Sequence, residues 1–170
     1  MPLTMSEVNR MTADEFVRAL GGVFEHSPWI AERAFAARPF AGVAALHAAM
    51  SDAVRGAGRG AQLALLRAHP ELAGKEAQAG SLTRDSKAEQ AAAGLGALTR
   101  DELERVSDLN RHYRAKFGFP FIIAVRRHAK DGIFAEFERR LGLDAETELV
   151  NGLEQVFAIT RLRLDGLVSG

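Results

Sequence analysis

Cysteine is absent from all 170 residues, which excludes disulfides and thiolate metal sites. Neither sign of charge is in excess: 22 lysines and arginines face 22 aspartates and glutamates. Polyanion binding needs a basic footprint, so nucleic acid is not an expected partner. The histidines, His26, His47, His69, His112 and His128, never fall three or four apart, so no helix offers a paired-imidazole metal site. No apolar run is long enough to span a bilayer. The start, MPLTMSEVNRM, lacks the charged and apolar regions of a secretory signal, and the end, LVSG, is not a peroxisomal address. These absences predict a soluble protein of a reducing cytoplasm, with no membrane partner.

What is present is helical periodicity. Thr12 and Glu15 have capping-box spacing, and Phe16, Leu20, Val23 and Phe24 follow on one face. Ser27 and Pro28 read as N-cap and first residue of a second helix, which Arg38-Pro39 closes. Val43, Leu46, Met50 and Val54 form a third stripe, ending at the connection RGAGRGA. That glycine-rich piece follows a helix and lacks phosphate-loop spacing. A fourth helix ends at His69, and a long polar loop follows. Ser86 to Glu89 opens a short alanine-rich helix. Thr99 and Glu102 cap the next, with Leu103, Val106, Leu109, Tyr113 and Phe117 as its stripe and Gly118 as its stop. Residues 131–141 form another helix, and Asp144 caps the last, which carries Leu149, Leu153, Val156, Phe157, Thr160 and Leu164. No β-alternation stands out. The expected fold is all-α: one compact multi-helix bundle over residues 1–170.

Four stretches carry candidate chemistry. In LLRAHPELAGK, Pro70 disfavours α-conformation at His69. The imidazole is then either a C-terminal cap or a side chain held by stiff backbone and aimed into a pocket. In SKAEQ, Ser86 and Glu89 have the spacing of a capping box, and a carboxylate near a helix start also lines a polar site. In KFGFPFIIAVRR, Gly118 and Pro120 force extended backbone between helices. Phe119 and Phe121 suit a core, while backbone groups of the run need partners that a polar ligand can supply. The basic group Arg126, Arg127, His128 and Lys130 reads as a solvated helix face. In ITRLRLDGL, Arg161 and Arg163 flank opposite edges of the last apolar stripe, and spacing does not choose which one faces a ligand.

HPELAGK, SLTRDSKAEQAAAGL, LNRHYRAKFGFPFIIAV and ITRLRL, in this order, resemble the 2-oxo-4-hydroxy-4-carboxy-5-ureidoimidazoline (OHCU) decarboxylases of urate breakdown. The resemblance runs from about Thr12 to Leu167. It implies an all-α fold, a homodimer, no cofactor and (S)-allantoin as product. The family's catalytic histidine falls on His69, its glutamate on Glu89 and its arginine on Arg161. Its substrate-contacting positions fall on Pro70, on Ser86, Lys87, Ala88, Glu89 and Gln90, and on Phe119, Pro120, Phe121, Ile122 and Ile123. Arg127 and His112 depart from the family's usual residues and lie outside this set.

The resemblance implies a chemistry in which His69 is the acid/base, Glu89 sets its protonation or holds the substrate hydroxyl, and Arg161 binds a carbonyl where charge accumulates. An arginine on the departing carboxylate would stabilise the ground state and slow the step. Two rival readings differ in kind. A non-catalytic helical binding module would have His69 and Glu89 each serving only a helix end. A metal-dependent hydrolase would need ligands converging from distant segments.

Overall fold

The computed structural model describes residues 1–170. Ten helices follow in chain order: α1 Met5–Arg10, α2 Ala13–Leu20, α3 Trp29–Ala34, α4 Val43–Arg55, α5 Arg59–Ala68, α6 Lys75–Gln78, α7 Arg84–Ala92, α8 Arg100–Phe117, α9 Lys130–Leu141 and α10 Ala145–Leu167. The all-α reading holds. The only strands are β1 Leu3–Thr4 and β2 Val168–Ser169, which pair in parallel with Leu3 opposite Val168.

Local chemistry explains most boundaries. Complete capping boxes open α2 at Thr12 and α8 at Thr99. A third, at Thr4, opens α1. Asp144 accepts from the Thr147 N–H at 2.9 Å and so caps α10. Gly118 stops α8 at φ 78°, a left-handed conformation that glycine adopts without a steric penalty.

Several expectations need correction. Ser27 does not cap α3: its hydroxyl donates to the Glu25 carbonyl, and Pro28 takes the cap position without a side-chain bond. Val23 and Phe24 are buried as expected but lie beyond the end of α2. The RGAGRGA connection is shorter than its glycines suggest, because α5 already starts at Arg59. The long loop after His69 contains a single helical turn, α6. The basic residues Arg126 and Arg127 lie on a 3-10 turn and His128 in extended backbone, so they are exposed but share no helix face.

The chain divides into two compact units, residues 1–68 with 157–170 and residues 69–156. The first has a core of Val8, Phe16, Leu20, Ile30, Leu46, Met50, Val54, Leu66 and Leu164. Its buried charges are paired. Arg163 donates to the Val23 carbonyl and, at 3.0 Å, to the Glu25 carboxylate. The second unit is built on aromatic rings. Phe121 stacks on Phe137 at 3.9 Å and 7°, and Tyr113 meets Phe117, Phe119, Phe121 and Phe137 within 6.0 Å. In the same unit, Tyr113 donates to Glu148 at 2.6 Å, and Arg140 donates to the same carboxylate oxygen. Burial, reinforced by Glu148, pushes the Tyr113 phenol well above its ordinary range, so it acts as a donor.

Candidate active site

The second unit begins at His69. α5 stops at Ala68, one residue before it, as Pro70 requires. His69 is only 5% exposed, and its Nε2 is fully buried. Pro70 is half-buried, and Leu72 and Ala73 are buried. The loop turns sharply. Ala73 sits at φ 47°, and a Cβ on Gly74 would come within 2.7 Å of the Glu71 Cβ, so that position needs glycine.

Neighbouring side chains hold this loop at successive backbone groups. Gln90 of α7 accepts from the Ala73 N–H at 3.0 Å and makes a long contact, 3.5 Å, to the Glu71 carbonyl. Asn110 of α8 donates to the Leu72 carbonyl at 2.9 Å, and Gln78 donates to the Ala73 carbonyl at 3.1 Å. Arg114 closes on the Glu71 carboxylate at 2.8 Å. A cavity of about 570 Å³ lies beside the loop, lined by Glu71, Lys75, Gln78, Asn110, Arg111 and Arg114. None of the candidate catalytic or substrate-contacting residues named from the sequence lines it, although it is bordered by parts of the HPELAGK and LNRHYRAKFGFPFIIAV motifs.

The start of α7 differs from the sequence reading. Thr83, not Ser86, is the N-cap, and its hydroxyl accepts from the Ser86 N–H at 3.3 Å. Ser86 is therefore the third helical residue, and Glu89 lies one turn further on, with no part in a capping box. Ser86 and Gln90, four apart, are buried on one face. Lys87 and Ala88 are exposed, and Glu89 is half-buried between the two faces.

The extended run Phe119–Ile123 is buried throughout. The Phe121 ring is packed against Phe137 on one side, with the Arg140 guanidinium 4.4 Å from its centroid. Its side chain therefore belongs to the core, which leaves the backbone of the run as its polar surface. Part of that backbone is already satisfied. Ile122 O accepts from Arg140 at 2.7 Å, and the Ala124 N–H donates to Gln155 at 2.9 Å. The turn Val125–Arg127 that follows packs against α7. The fold thus gathers the His69 loop, α7 and the end of the extended run. Arg161 belongs to the other unit, where its Nε donates to Asp165 at 3.0 Å and its side chain is 40% exposed. His47, hydrogen-bonded to Thr160, lies close enough to feel its charge: burial first, and then Arg161, hold that imidazole below its ordinary pKa.

Three residues around this region escaped the sequence reading. Asn110 is buried on α8 where Leu109 was expected to be, and Leu109 is only half-buried. Arg140 and Glu148 are 1% and 0% exposed. The signal for Arg140 was its position three residues after Phe137, on the apolar stripe of α9. No three His, Asp or Glu side chains converge as a metal site, and no helix is long and apolar enough to cross a membrane.

Similarity to known proteins agrees with these motifs. The OHCU decarboxylase family model matches residues 9–165. A 2-oxo-4-hydroxy-4-carboxy-5-ureidoimidazoline decarboxylase of Haloferax volcanii is 46% identical over 162 residues, covering 95% of this chain and 94% of that protein. The uric acid degradation bifunctional protein PucL of Bacillus subtilis is 40% identical over 98% of this chain, which spans only 33% of that longer protein. Among solved structures, an (S)-allantoin synthase superposes with a TM-score of 0.76 at 31% identity, covering 98% of this chain and 54% of that one. A chain carrying the four motifs in order, matched by the family model over residues 9–165, belongs to the OHCU decarboxylase family.

Proposed function

We propose that this chain decarboxylates OHCU to (S)-allantoin in urate degradation, with His69 as general acid/base and Glu89 and Arg161 assisting. The observation that carries the reading is the buried imidazole of His69 on a loop bonded at Leu72 and Ala73, with α7, which bears Glu89, supplying one of those bonds.

The chemistry asks for little beyond position and a proton. Breaking the C–CO2 bond of the carboxylate releases CO2, and the electron pair moves through the ring C=N bond onto nitrogen, which takes a proton from solvent. Loss of the hydroxyl proton turns that oxygen into a carbonyl. Protonation of the neighbouring carbon, which bears the ureido group, sets its configuration. A histidine with a pKa near neutrality can take the first proton and give the second. Glu89 would favour the charged imidazole or hold the hydroxyl. Arg161, as the family resemblance implies, would bind a ring or ureido carbonyl, where negative charge accumulates. Free backbone groups of Phe119–Ile123 would fix the flat ring. No cofactor enters this scheme. A homodimer, which rests on the family resemblance, and a cytoplasmic location, expected from the cysteine-free composition, belong to the same proposal.

Glu89→Gln tests the assignment with little structural confusion, because Thr83 and not Glu89 caps α7. The change is nearly isosteric and removes one charge. Turnover is expected to fall about a hundredfold, the order contributed by a general acid–base partner. The melting temperature is expected to stay within about 2 °C, as for substitutions outside caps and cores. Near-normal turnover would remove Glu89 from the chemistry and leave His69 to work without it.

A further inference from the structure

We propose that Asn110 is a positioning residue for the reaction: its buried amide, holding the Leu72 carbonyl, sets the direction in which the loop presents His69. The proposal rests on His69 being the acid/base. Asn110 is 5% exposed and lies on the inward face of α8 with Val106 and Tyr113, where an apolar residue would pack without any polar group to satisfy. Its Nδ2 donates to Leu72 O at 2.9 Å, three residues after His69. Its Oδ1 is buried with no hydrogen-bond partner. A core position that keeps a half-satisfied amide needs a reason beyond packing.

The loop's shape supplies one. Ala73 is in the left-handed region, which an alanine rarely adopts, so the surrounding contacts must hold it there. Gln90 grips the Ala73 N–H and Asn110 grips the Leu72 carbonyl, on the two sides of the same peptide bond. Two side chains from different helices thus fix the orientation of one peptide plane. Proline fixes the backbone at His69 itself, and this plane fixes the return of the chain. Arg114, one turn along α8 from Asn110, adds a third hold at Glu71.

Asn110→Ala separates positioning from general support. Alanine is a better helix former than asparagine, so α8 is not itself weakened. The expected result is a fall in kcat of about tenfold or more, since a misplacement of about 1 Å can cost about a hundredfold. KM is expected to change by less than about threefold, and the (S) excess of the product to fall. If Asn110→Ala does not fold, Asn110→Ser is measured in the same way. A folded variant with unchanged kcat and unchanged (S) excess would overturn the proposal, and so would a raised KM with unchanged kcat. His69→Gln is run beside it. Full turnover by His69→Gln would overturn the acid/base reading and this proposal with it. A dead His69→Gln beside a normal Asn110→Ala would overturn the positioning role alone.

Discussion

His69→Gln is expected to lower enzymatic turnover of freshly generated OHCU by about 10²–10⁴, the range that one general acid–base group contributes. Glutamine keeps much of the shape and one donor–acceptor pair but cannot exchange a proton near neutral pH. The residue is 5% exposed, so the replacement must fit the same buried space. The loop that carries His69 is held independently by Gln90, Asn110 and Arg114, so the folded state is expected to survive. The melting temperature and helical circular dichroism therefore serve as controls. If His69 served only as a helix C-cap, the change would cost a few tenths of a kcal/mol of stability, as a weak dipole interaction does, and turnover would be untouched.

Removing one partner of the buried Arg140–Glu148 pair is expected to give the largest loss of stability in the molecule. Glu148→Ala leaves a guanidinium 1% exposed without its carboxylate and deprives the Tyr113 hydroxyl of its acceptor. Breaking such a pair costs about 3–5 kcal/mol, because a buried charge is left uncompensated. For a chain of this size that lowers Tm by about 6–20 °C. The double replacement Arg140→Met with Glu148→Leu removes both charges together and is expected to recover most of the loss. The pair also bears on the site. Arg140 holds the Ile122 carbonyl at 2.7 Å, inside the run proposed to hold the substrate through its backbone. The rescued double variant is therefore expected to regain stability without full turnover. Equal Tm values for Glu148→Ala and the unaltered protein, measured by thermal denaturation, would contradict the role given to the pair.

Helix existence was legible because periodicity and capping are local. Thr12 with Glu15 and Thr99 with Glu102 show both halves of the box, and both open helices. The same pattern misled at Ser86 and Glu89, because Ser-x-x-Glu also occurs inside a helix and Thr83 has no carboxylate three residues on to mark it. Spacing left Arg161 and Arg163 undecided. Only the fold shows that Arg163 is committed to Val23 and Glu25 while Arg161 sits part-exposed on Asp165. His69, Glu89 and the FPFII run are grouped as a proposed site by the family resemblance of their motifs. Their supports were not legible. Gln90 reaches Ala73 across 17 residues and Asn110 reaches Leu72 across 38, and no local rule links such positions. Arg140 and Glu148 were hidden for a related reason, since charged residues on an apolar stripe read as surface until their partners are known.

Freshly generated OHCU mixed with the purified protein, followed by circular dichroism at an allantoin band, decides whether the protein makes (S)-allantoin. Ellipticity of the (S) enantiomer is expected to rise at a rate proportional to protein concentration, and His69→Gln is expected to abolish the rise. Decay of OHCU at its spontaneous rate to racemic allantoin, with no dependence on added protein, would contradict the proposed activity.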